Sequence, residues 1–199
     1  MATTVRWLVP SLMALGVVLF PGFASPPVAA DHAVETGRSA VSNVVEDSTV
    51  TVRVRQLMAP WCTDVPTSVY EGSGGQAGYT EDRHPLFGRS GDPSVYITIG
   101  LQWPTDHAGT RAVALHECAH ILQYRAYDYD AAALESDMAR LYPDGTSSGT
   151  EHMADCLADL MGAVRSGSVD GRDYSVGYGG ECTPDQYAAA ERLIDGHRP

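Results

Sequence analysis

The chain has 199 residues and a formal net charge of −12, from 25 acidic and 13 basic side chains, all of the latter arginine. So acidic a surface excludes nucleic acid and anionic membranes as partners and favours solubility. The length and a 44% hydrophobic share suit one compact domain with a real core, and no internal repeat or second domain is visible.

Met1 to Arg6 carries one positive side chain, Trp7 to Phe20 is an apolar run, and Val28-Ala29-Ala30 offers small residues for a cut before Asp31. That pattern predicts a secretory signal peptide over residues 1–30, too short and wrongly flanked for a stable membrane span. The expected mature domain is residues 31–199, with a charge of −13 once Arg6 is removed, secreted and without stable membrane association. Four cysteines in a secreted chain read as two disulfides, and three pairings among Cys62, Cys118, Cys156 and Cys182 are open.

Asp31 to Asp47 is a polar lead-in. Thr49 to Gln56 alternates Val50, Val52 and Val54 with polar residues, the period of a half-buried strand. Residues 60–91 are rich in Pro and Gly, and so long an irregular stretch should hold short strands, a binding loop or a disulfide through Cys62. Ser94 to Leu101 is the best strand by β-branched and aromatic content. It is either an interior strand or a sheet edge able to pair with an extended peptide. Pro104 and Gly109 then turn the chain into a helix, with Thr110 as the expected N-cap.

That helix, Thr110 to Arg125, contains His116-Glu117-Cys118-Ala119-His120, an H-E-x-x-H pentapeptide. Residues four apart share a helix face, so His116 and His120 can present two imidazoles to one metal ion, Zn2+ by preference. Glu117 then stands beside the metal as the general base for a zinc-activated water. The competing reading is an amphipathic helix with two surface histidines. Ala112, Val113, Leu115, Ala119, Ile121 and Leu122 make this helix apolar nearly all round, which points to burial, and buried histidines need partners. Cys118 lies about 200° round the helix from His116 and so faces away from the metal. A metzincin third ligand would need Gly at 123 and His or Asp at 126; Gln123 and Ala126 exclude it.

Asp130 to Tyr142 reads as a second helix, with Leu134, Met138 and Leu141 on one stripe. A third helix is expected from Glu151 to Arg165, capped by Thr150 and ended by Gly167. A Gly-rich stretch follows, and Thr183-Pro184-Asp185-Gln186 opens a last helix that Gly196 closes. Glu151 and Asp155 share a face of the third helix, where one carboxylate can bind zinc while the other takes the free N–H of a ligand histidine. Asp155 or His152 can also serve as the third ligand, and Asp159 reads as a surface or network carboxylate. Tyr142, Tyr174, Tyr178 and His197 are candidate donors to an oxyanion. His32, His84 and His107 read as surface residues, and the acidic Asp128-Tyr-Asp130 loop is too sparse for calcium.

H-E-x-x-H followed by E-x-x-x-D resembles the gluzincin branch of the zincin metallopeptidases. Glu151, Ala154, Asp155, Cys156 and Gln123 further resemble the pattern of a bacterial family of neutral zinc metallopeptidases. The resemblance covers Leu115 to Leu160. It implies His116, His120 and Glu151 as zinc ligands, Glu117 as base, Asp155 behind a ligand, and a peptide or protein as substrate. The expected fold is a single α+β, zincin-like domain stapled by disulfides, and the expected activity is peptide-bond hydrolysis. The alternative is a secreted zinc-binding domain in which metal and disulfides only staple the fold; a chance motif on an acidic binding domain ranks below both.

Overall fold

The computed structural model describes residues 48–80, 83–84, 88–89, 93–143, 148–178 and 180–199; the expected signal peptide and the lead-in over 31–47 lie outside them, as does His32. The first described element corrects the sequence reading. Residues expected as a strand form helix α1 (Ser48–Leu57). Val50 and Val54 satisfy a period of two and a period of four alike, and Val54 and Met58 are fully buried while Val52 is 45% exposed. The i, i+4 stripe packs into the hydrophobic core and overrides the β preference of valine.

The turn-rich stretch holds short strands, as expected: β1 (Thr67–Tyr70), β2 (Gly75–Thr80), β3 (Arg83–His84) and β4 (Gly88–Arg89). β5 (Ser94–Gly100) lies between β1, its parallel neighbour, and β2, its antiparallel one. It is therefore the central strand of a three-stranded sheet. β1 and β2 are its two edges, and β2 is the one that lines the cleft described below.

α2 (Ala108–Ala126) carries the H-E-x-x-H pentapeptide and is buried from Gly109 to Ile121, Arg111 excepted. It starts earlier than expected: His107 is the N-cap, its Nδ1 accepting from the Gly109 N–H at 2.9 Å, while Thr110 Oγ1 donates to the Pro104 carbonyl at 2.9 Å. His107, expected at the surface, stacks on Trp103 with ring centroids 5.1 Å apart. The side chain of His84 is outside the described residues.

α3 (Ala131–Leu141) is capped by Asp130 and buries Leu134 and Met138, as the stripe implied. α4 (Gly149–Leu160) is capped by Ser148 rather than Thr150 and ends well before Gly167, at a turn where Gly162 takes φ +86°. The released residues form a hairpin, β6 (Ser166–Val169) and β7 (Arg172–Ser175), through an Asp170-Gly171 turn with both residues at positive φ. α5 (Pro184–Ile194) opens with the expected capping box of Thr183 and Gln186.

The fold is α+β, five helices and small mixed sheets among the described residues. Two disulfides staple it and settle the pairing: Cys62–Cys118 ties α2 to the segment ahead of β1, and Cys156–Cys182 ties α4 to the entrance of α5. Among the described residues no helix is long and apolar enough to cross a membrane.

Candidate metal centre

α2 and α4 pack against each other, and their facing residues build the centre. His116 Nε2, His120 Nε2 and Glu151 Oε2 form a triangle with sides of 3.0, 3.2 and 3.2 Å. The outer nitrogens decide what these atoms offer. His116 Nδ1 lies 2.9 Å from Asp155 Oδ1, and a carboxylate only accepts, so this nitrogen carries the proton. Gln123 Nε2 donates to the Thr150 carbonyl at 2.8 Å, which turns its Oε1 to His120 Nδ1, 2.9 Å away. His120 Nδ1 is therefore protonated too. Both neutral rings then present Nε2 lone pairs, and Glu151 adds a third.

Three converging lone pairs repel one another unless a metal ion or protons lie between them. Tetrahedral zinc with bonds of 2.0–2.1 Å separates its donors by about 3.3 Å, close to the triangle's sides. Two imidazoles and a carboxylate, with both Nδ1 protons held by outer acceptors, are a chemically fitting set for such an ion. Held by protons instead, the trio is an imidazolium–carboxylate cluster. Burial lowers the His116 pKa, but its hydrogen bonds to Asp155 and Glu151 and the charge of Glu117 outweigh this and raise it to about 9. Burial raises that of Glu151, and its bonds to His116 and His120 carry it down to about 2.

Glu117 stands beside the triangle, 7% exposed, under β2. Gly75 admits it: a Cβ there would lie 2.7 Å from Glu117 Oε1. Burial raises the Glu117 pKa, partly offset by the two histidines, while Glu151 adds to the rise and the Ala77 N–H opposes it. The cleft above has a volume of about 620 Å³ and is bounded by β2, α3 and Tyr178. In β2 the register with β5, and the Gly100 N–H bonded to the Gly74 carbonyl, turn the main-chain groups of Gly75, Ala77 and Tyr79 away from β5.

Of the expected ligand alternatives, Asp155 lies behind His116, and His152 points elsewhere, its ring 5.2 Å from that of Tyr142. Asp159 is a network carboxylate held by Arg165 and Tyr187. Of the expected oxyanion donors only Tyr178 borders the cleft, its ring 5.7 Å from that of His116. Tyr142 donates to the Gln186 carbonyl, Tyr174 to the Val164 carbonyl, and His197 follows α5 in the exposed tail.

Arg165 was not legible as part of the centre. Its Nη1 bonds the fully buried Asp155 Oδ2 at 3.0 Å, its Nε and Nη2 bond Asp159, and Nη2 also donates to the Gly180 carbonyl. The Tyr178 N–H donates to Asp155 Oδ2 at 2.9 Å. Gly177, at φ +91°, lets this loop lie directly on the Asp155 carboxylate. Comparison of the chain with protein families, curated proteins and solved structures finds no match.

Proposed function

We propose that the chain is a secreted zinc-dependent peptidase acting on an extended stretch of polypeptide. The observation that carries this reading is the convergence of three lone pairs at 3.0–3.2 Å beside the buried carboxylate of Glu117, on the floor of an open cleft. The likeness of His116, Glu117, His120, Glu151 and Asp155 to the gluzincin pattern supports it. Both cysteine pairs are oxidised, which agrees with the secretory leader read from the sequence.

His116, His120 and Glu151 would hold the ion, which supplies a Lewis acid that polarises the scissile carbonyl and acidifies a water. The chain's own groups do the rest. Glu117 takes the proton from the attacking water and returns it to the departing amine; its upward-shifted pKa, from burial first, makes it a stronger base than an exposed carboxylate. Tyr178, which borders the cleft, would donate its hydroxyl to the oxyanion. Main-chain groups on the outer side of β2 can pair with the substrate backbone and align it along the cleft. Asp155 and Gln123 fix the two rings, so no reorganisation is needed when the site loads.

A zinc that only staples the fold would have four protein ligands in a closed shell. Here the group contains three and opens on a cleft, which favours turnover. The test is metal content together with cleavage of an unstructured protein, with and without a chelator. One zinc per chain and chelator-sensitive cleavage is the expected result; a metal-free chain, or cleavage indifferent to the chelator, overturns the reading.

A further inference from the structure

α4 carries two i, i+4 pairs that are one residue out of step. Glu151 and Asp155 face the centre described above; His152 and Cys156 face the next sector of the helix, about 100° away. His152 is 5% exposed, and neither ring nitrogen has a hydrogen-bonding partner among the described residues. Leaving a buried polar group unsatisfied forfeits its hydration with nothing in return, so a ring with two idle nitrogens calls for an account. What lies within reach is sulfur. A ring nitrogen of His152 and the Sγ atoms of Cys156 and Cys182 all lie within 4.8 Å of one another. Gly180, at φ +103°, passes its backbone over the ring: a Cβ there would sit 3.1 Å from His152 Nε2.

We infer that His152, Cys156 and Cys182 form a second, redox-gated metal site, closed while the disulfide stands and opened when it is reduced. A dithiol reductant delivers two electrons and two protons to the Cys156–Cys182 bond and leaves as its own disulfide. Two thiols result. A zinc or similar borderline-soft cation then displaces both protons and binds two thiolates and the idle imidazole, a donor set that suits it. The two thiolate charges offset the charge of the ion, which lowers the cost of burying it. Cys182 is only half-buried, giving a reductant access to this bond. The Cys62–Cys118 pair has no such neighbour: both its residues are fully buried, and no histidine groups with them among the described residues.

The experiment uses the full chain in a dithiol/disulfide redox buffer, with and without zinc, reading the oxidation state of each pair by thiol alkylation and mass spectrometry. Zinc is expected to shift Cys156–Cys182, and not Cys62–Cys118, toward the dithiol. His152→Ala should weaken that shift by about tenfold or more, since losing a ligand costs at least as much as losing an outer partner. Cobalt added to the reduced chain should give a thiolate charge-transfer band, absent from the Cys156→Ser/Cys182→Ser variant and distinct from the nitrogen–oxygen site at His116. The inference is overturned if zinc leaves the Cys156–Cys182 equilibrium unmoved, if His152→Ala responds like the parent chain, or if opening this disulfide unfolds the protein by circular dichroism. None of these outcomes depends on peptidase activity.

Discussion

His116 and His120 stand one turn apart and aim the same atom at the same point, yet unlike partners hold them. His116 leans on a fully buried carboxylate, Asp155, which is itself clamped by Arg165 and by the Tyr178 N–H from the loop that borders the cleft. His120 leans on a neutral amide, Gln123, three residues along its own helix, and that amide is tied to the first turn of α4. One ring is thus oriented by charge and by a distant segment, the other by local geometry. The difference teaches that one side of the centre is anchored within α2 and the first turn of α4, while the other is anchored through Asp155 to Arg165 and Tyr178. Whatever moves that loop reaches His116 first.

Changes at the centre can break or sharpen this contrast. The largest effect belongs to neither side: Glu117→Gln should retain metal and lose hydrolysis by about 10²–10⁴-fold, measured as kcat/KM on a peptide. Equal turnover would remove Glu117 from the chemistry. Asp155→Ala should weaken zinc binding by about 10–100-fold in a competition titration and destabilise the fold by about 1–3 kcal/mol, because Arg165 keeps Asp159 but loses one of its two carboxylates, and the Tyr178 N–H loses its acceptor. Gln123→Leu should cost about tenfold in zinc affinity, with a smaller loss of stability because no charge is abandoned. Should Gln123→Leu prove the more damaging of the two, the contrast between a charged and a neutral anchor fails. The smallest effect is expected from Ser148→Ala, which removes the cap of α4 and should lower thermal stability by about 1 kcal/mol while zinc affinity stays near that of the parent.

Much of this was written locally in the sequence, and what was missed has physical causes. The pentapeptide, Glu151 with Asp155, and the capping box at Thr183 are each set by spacing within one helix, which the 3.6-residue period makes visible. α1 was misread because Val50 and Val54 fit two periods at once, and only the buried neighbour at Met58 breaks the tie. The β6–β7 hairpin had its signal in Asp170-Gly171, a turn pair with strong positive-φ preference, but its strands carry too few apolar residues to register as such. Arg165 could not be found by spacing at all. It reaches Asp155 from beyond the end of α4, and only the turn at Gly162 brings it back. The open sheet edge was likewise assigned no place on β2, because Gly75 and Gly78 make that strand weak by composition while the pairing comes from β5.

That weakness has a consequence for what can pair with the strand. A sheet edge whose main-chain groups face a wide cleft is an invitation to any extended chain, including another copy of this protein, and exposed edges are where aggregation starts. β2 has only six residues, and its glycines at 75 and 78 offer a visiting strand no side chain to interlock with. A guest can lie along it, but a stack of identical strands gains little there. The glycine that makes room for Glu117 thus also leaves the edge without a side chain at that position for a second strand to pack on.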